Sequence, residues 1–255
     1  MATTYLDITN EVLRELNEVP LTSANFANAK GIQKFVKDSV NKAIFDIANQ
    51  EPQLPFFAVN LSGETDPFYG NVTVATTAGT RWYKLKSDSS SITTDYASID
   101  WDDFYVTTIN VSGESAPHVS KGLKFMTLTD WKRYYRDAEN ADDADSQNYG
   151  EPQFVIKSPD SRKFGLSPIP DKVYNVHFYA FDKPTKLSAH GDTITLPEQY
   201  SNVITARTRY YVWQFKESPQ QASFALDEYK KELRQMKSNL MNPTPKYMTD
   251  DRRYF

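Results

Sequence analysis

Apolar residues along the chain change their spacing twice. From Lys30 to Asn49, "KGIQKFVKDSVNKAIFDIAN", they fall at Ile32, Phe35, Val36, Val40, Ala43, Ile44 and Ile47. That spacing predicts a helix with one buried stripe. Upstream, Leu6, Val12, Leu13 and Leu16 predict a shorter helix that ends before Pro20, because the residue ahead of a proline is pushed out of the α region. After Pro52 and Pro55 the period shifts toward two. Strands are predicted at Val72 to Thr76, Arg81 to Leu85, Phe104 to Val111, Gln153 to Ile156, Lys163 to Leu166 and Tyr174 to Phe181. Helical spacing returns from Glu198 to Lys216 and again from Gln221 to Met241, with Ser218 and Pro219 placed to start the second of these helices.

Within the strand-rich middle, "TLTDWKRYYRDAENA" predicts one short helix capped by Thr129 or Asp130 and carrying Trp131, Tyr134 and Tyr135. Asp137 to Glu151 holds six acidic and no basic residues and reads as a solvated loop. In "AGTRWYKLKSD", Gly79 and Thr80 predict a turn into a strand on which Trp82 and Tyr83 face opposite sides. The last residues, "NPTPKYMTDDRRYF", contain two prolines and no helical stripe, which predicts an extended arm. The expected fold is α+β. Helices from 1–57 and 197–241 form a bundle, 58–196 form an inserted β-rich domain, and 242–255 form the arm.

Composition narrows the chemistry. Among 255 residues there is no cysteine, so disulfides, thiolate metal sites and cysteine nucleophiles are excluded. A net charge of −4 argues against a protein whose main task is gripping nucleic-acid phosphates, though transient contact with passing DNA remains compatible with it. No apolar run approaches the roughly 20 residues of a membrane span, and the first residues lack the pattern of a secretory signal. The nine glycines form no phosphate-cradling motif. His118, His177 and His190 are far apart in sequence, and His177, in the strand "YNVHFYAF", reads as a packed sheet histidine. Asp102 and Asp103, together with the acidic loop, could in principle supply the two carboxylates of glycoside hydrolysis, against a plainer reading as strand-edge charges. No catalytic, metal or cofactor site is expected. Trp82, Trp101 and Tyr105 are the candidate interface aromatics, with core filling as the alternative for each.

Several stretches together resemble the head-to-tail adaptor, or connector, proteins of tailed bacteriophages, most closely those of short-tailed phages. They are "TYLDITNEVLRELNEVPLTS", "VKDSVNKAIFDIANQEPQLPFF", "AGTRWYKLKSD", "GEPQFV", "FGLSPIPDKVYNVHFYAFDKPTKL" and "DTITLPEQYSNVITARTRYYVWQF". The resemblance covers nearly the whole chain and consists of soft motifs, with no catalytic signature. It implies a non-enzymatic virion protein, made in the host cytoplasm, that docks on a portal ring, extends the DNA channel and offers tail or nozzle proteins their attachment site. It further implies a ring of copies, normally twelve. On that reading Tyr247, Arg252, Arg253, Tyr254 and Phe255 are the expected portal-binding residues, since arginine and aromatics dominate interface hot spots and an arm can order on binding. Two alternatives are a tail-tube gatekeeper and a carbohydrate-binding or cell-wall-degrading virion component using the exposed aromatics with Asp102 or Asp103.

Overall fold

Helix α1, Tyr5–Glu15, starts where Thr4 and Asp7 satisfy each other's backbone. The Asp7 N–H donates to Thr4 Oγ1 at 3.2 Å and the Thr4 N–H donates to Asp7 Oδ2 at 3.0 Å, occupying two donors that a helix start otherwise leaves open. In this computed structural model the described residues are 3–59, 71–85, 96–108, 120–135 and 149–240. They divide between two compact units, one comprising Met1–Phe56 with Pro184–Phe255 and the other Phe57–Lys183.

The first unit is helical. Helix α2, Gly31–Gln50, buries Val36, Val40, Ala43, Ile44 and Ile47, the stripe seen in the sequence. Helix α4, Ser201–Phe215, follows a 3-10 turn at Glu198–Tyr200 and contacts α1, α2 and helix α5, Pro219–Leu240. Pro219 opens α5, where a missing N–H is harmless, and Glu217 takes a positive φ of 53° in the turn before it. The terminal helices therefore pack as the expected bundle.

Residues 184–196 also belong to this unit, although the expected β-rich domain runs to residue 196. Backbone pairing with the start of α1 accounts for the difference. Tyr5 N–H donates to Asp192 O at 2.9 Å, Leu6 N–H to His190 O at 3.1 Å and Ile194 N–H to Thr3 O at 3.2 Å. Asn41, on α2, completes the attachment. Its Oδ1 accepts from Leu187 N–H at 2.8 Å, while its Nδ2 donates to Leu187 O at 3.0 Å and to the Tyr5 hydroxyl at 2.9 Å.

The capping box carries a pH dependence. Hydrogen bonds from Thr4 hold the Asp7 carboxyl below its ordinary value of 3.8. A folded value lower than the unfolded one means stability present above about pH 4 and lost as pH falls through the depressed folded value. Because Asp7 is solvent-exposed, its share is about 0.5 kcal/mol. Urea titrations of the parent and Asp7→Asn are expected to differ by that amount at pH 7 and to converge by pH 2.

The second unit is a sandwich of two four-stranded sheets. Strands β1 (Asn71–Ala75), β10 (Tyr174–Phe181), β3 (Ser98–Thr108) and β4 (Ser120–Gly122) make one sheet, in the order β1-β10-β3-β4. Strands β2 (Trp82–Lys84), β8 (Lys163–Ser167), β7 (Phe154–Lys157) and β5 (Lys124–Met126) make the other, in the order β2-β8-β7-β5. The chain changes sheets at Leu123. A parallel pair, β6 (Tyr149–Gly150) and β9 (Ile169–Pro170), lies apart from both. Alternate side chains of the two sheets meet in a core of Tyr83, Phe104, Val106, Val155, Phe164, Leu166, Val176 and Phe178.

Helix α3, Leu128–Tyr134, is capped by Thr127 and not by the expected Thr129 or Asp130. Thr127 is extended and its Oγ1 accepts from Asp130 N–H at 3.1 Å, so the helix begins two residues earlier than the proposed cap allows. Strand β3 also starts earlier than its apolar pattern, at Ser98. Its pairing to β10 passes from Phe104↔Phe178 to Ile99↔Ala180, leaving Asp100 to Asp103 opposite Tyr179 in a bulge. A polar bulge interrupts alternation, which is why the sequence pattern begins only at Phe104.

The turn before β2 is organised by one hydroxyl. Gly79 adopts a φ of 75°, and the Tyr83 hydroxyl accepts from Thr77 N–H at 3.1 Å and donates to Thr80 O at 2.5 Å. Tyr83 lies in the core and Trp82 on the opposite, half-exposed face, as strand alternation requires. The serine run that follows Leu85 lies outside the described residues.

Candidate functional site

The three candidate interface aromatics occupy different settings in the β unit. The Trp82 ring covers Gly165 across the β2–β8 pair so closely that a Cβ on that glycine would lie 2.9 Å from Cζ3. Trp101 sits in the β3 bulge, stacked on Phe104 with centroids 5.4 Å apart and tilted against Phe125 at 5.9 Å, with Lys157 Nζ over its ring at 5.4 Å. Tyr105 stacks on His177 at 5.0 Å and its hydroxyl is hydrogen-bonded to Asn71 Nδ2. All three are half-buried, each with one side given to packing. Their partners across the strands could not be read from sequence because register pairs residues far apart along the chain.

His177 is buried, with Thr73 Oγ1 at 2.8 Å from Nδ1 and Thr107 Oγ1 at 2.9 Å from Nε2. The two threonines take both ring nitrogens, which makes it the packed sheet histidine that its strand position suggested. Asp102 and Asp103 are exposed in the bulge. Partial burial and the neighbouring Asp100 charge push the Asp103 carboxyl up. The Asp102 N–H donates to Asp100 Oδ1 at 3.1 Å, so the bulge is an acidic turn closed on itself. Among the described residues no group of histidine, aspartate and glutamate is arranged to hold a metal ion.

The helical unit shows the more developed polar architecture, on α4. Arg207 donates from Nε and Nη2 to Asp46 Oδ2 at 3.1 and 2.9 Å and lies within 5.0 Å of the ring centroids of Tyr210, Tyr211 and Tyr229. Tyr229 in turn donates to Gln50 Oε1 at 2.7 Å, and burial pushes its phenol up to about 12. Lys237 and Glu51 meet at 2.6 Å, adding a second tie between α5 and the end of α2. On another side of α4, Arg209 bridges Glu15 of α1 at 3.1 Å and Glu228 of α5 at 2.6 Å. The tyrosine-rich face of this helix is legible in the sequence but its arginine centre is not, because helical periodicity scores apolar positions and passes over the cation that the rings surround.

Replacing Arg207 with methionine keeps the stem but removes the charge, leaving the half-buried Asp46 without its counterion. We expect this to destabilise the helical unit by about 2 kcal/mol, measured by urea unfolding; Arg207→Lys is expected to recover only part, since it loses the planar stacking on three rings.

Two grooves flank the exposed edge of α4. One, about 360 Å³, runs against α2 beside Phe35, Lys42, Tyr211 and Phe215, where Phe35 and Phe215 stack at 4.2 Å. The other, about 580 Å³, lies between α4 and α5 and is lined by Tyr210, Gln214, Pro219, Ala222, Ser223 and Leu226. The expected portal-binding residues Tyr247, Arg252, Arg253, Tyr254 and Phe255 lie outside the described residues.

The chain thus builds a helical unit from both of its ends and a β sandwich from the residues between them. The chain matches the model of the SU10 adaptor protein family over residues 3–253 and belongs to that family. It is thus a phage adaptor protein, a structural component of the virion. No curated protein matches the chain. No helix among the described residues is long and apolar enough to cross a membrane.

Proposed function

We propose that the chain is the head-to-tail adaptor that docks on the portal ring, continues the DNA channel and gives tail or nozzle proteins their attachment site. Copies stand side by side in a ring, twelve in the family pattern, and the chain performs no catalysis. The observation that carries this reading is the family match across residues 3–253, which takes in the helices from both ends and the sandwich between them. The net charge of −4 supports it, since acidic walls let DNA pass without holding it.

Docking is assigned to the arm at 242–255, through Tyr247, Arg252, Arg253, Tyr254 and Phe255. The half-exposed Trp82 and Trp101 and the neighbouring Tyr105 belong to the surface offered to neighbouring proteins.

Co-sedimentation with the cognate portal ring tests both parts. The full chain is expected to pellet with the ring in fixed stoichiometry, and a chain ending at Met241 to remain in the supernatant. Binding that survives truncation would remove the arm from the docking surface and leave the adaptor role intact. A folded full-length chain that never pellets would overturn the docking role.

A further inference from the structure

Phe224 is the most exposed phenylalanine among the described residues, at 67 %, on a helix whose neighbours Ala222 and Ala225 are buried. Successive residues of an α-helix are turned by about 100°, so Phe224 stands about 200° around α5 from Ala222, which lines the α4–α5 groove. One turn of a single helix thus presents an aromatic knob on one flank and an apolar-floored groove of about 580 Å³ on the other. A lone exposed aromatic is common; one paired with an open groove on the opposite flank of the same helix is the arrangement of a heterologous, self-propagating contact.

Charge follows the same division. Asp227, three residues on from Phe224, borders the knob, while the next residue, Glu228, is held within the copy by Arg209 at 2.6 Å. Lys230, four residues on from Leu226, borders the groove. A second pair has the reverse sense, with Lys231 two turns along from the knob and Glu217 at the groove's end. Each rim offers the other both signs, so the juxtaposition is complementary for a second copy of this chain.

We infer that Phe224 of one copy seats in the groove between α4 and α5 of the next, giving a head-to-tail contact between helical units. The inference deepens the adaptor reading, which needs neighbouring copies, by naming the surfaces that meet. The aromatic ring lies over Tyr210, Ala222 and Leu226, and Asp227 beside it approaches Lys230. Because knob and groove face away from one another on one chain, the contact cannot close within a copy, and each pair of copies leaves one knob and one groove free.

The native chain has no cysteine, so single thiols report without background. Gln221→Cys and Gln214→Cys chains, one thiol a helical turn before the knob with Phe224 left in place and one in the groove, are mixed at equal concentration in a glutathione redox buffer. Disulfide heterodimers are expected in clear excess over either homodimer. A statistical mixture of the three dimers, or monomers alone, would overturn the inference. In parallel, sedimentation velocity of the full chain over a range of concentrations is expected to show association that Phe224→Ser weakens at least about thirtyfold, as loss of an interface anchor does; an unchanged constant would also overturn it. The same Phe224→Ser chain tested against the portal ring separates the two ideas: docking that persists while the thiol pairing is statistical leaves the adaptor role standing and removes only this contact.

Discussion

Phe178→Ala is expected to lower the stability of the β unit by about 4 kcal/mol, as the loss of a fully buried aromatic ring does. Phe178 is fully buried on β10 and stacks on Phe104 of β3 at 4.8 Å. It also meets Phe164, from the opposite sheet, edge-on at 5.8 Å, and Tyr96 at 6.4 Å. Removing the ring withdraws one member of a stack that spans both sheets, and the remaining rings are too rigid to collapse into the void. Phe178→Leu is expected to cost less than half as much, because it restores most of the volume without the stacking. Urea unfolding followed by near-ultraviolet circular dichroism reads the rings directly. A loss below about 1 kcal/mol for the alanine variant would show that the two sheets do not depend on this stack.

The second large effect is expected at Asn41. Asn41→Leu is nearly isosteric yet withdraws the partners of the Leu187 N–H and C=O and one partner of the Tyr5 hydroxyl, all inside the helical unit. Leaving buried backbone groups without partners costs more than the hydrogen bonds themselves contribute, so the expected loss is about 3 kcal/mol. Tyr5 keeps its bond to Lys37 O at 2.6 Å, which prevents a larger one. The irregular segment 184–196 should loosen first, giving faster amide exchange at Leu187 and Ile194 than in α2. If exchange there is unchanged, the backbone pairing to α1 holds the segment alone and Asn41 is dispensable.

What the amino-acid order determined by itself is the set of local elements with strong periodicity. Helices α1, α2, α4 and α5 fall within a few residues of their apolar stripes, and Pro219 marks the start of α5, because a helix face is a property of neighbours three and four apart. Strands β2, β8 and β10 were equally legible, as was the glycine turn at residue 79. The absence of cysteine and the net charge closed off several chemistries before any fold was known.

The tertiary structure alone decided what depends on residues distant in sequence. It set the bulge at Asp100 to Asp103, whose existence depends on how β10 pairs, and the capture of 184–196 by α1 and Asn41. The parallel pair β6 and β9 and the short strands β4 and β5 were missed because two or three residues carry no detectable period. The candidate surfaces followed the same rule. Candidate interface aromatics could be named from sequence, but whether a ring packs over Gly165, stacks on His177 or, like Phe224 in the apolar spacing of α5, stands exposed is fixed by neighbours that only folding brings together. The Arg207 centre and the groove beside it are likewise products of packing, since each is built from helices that local periodicity can predict but cannot orient.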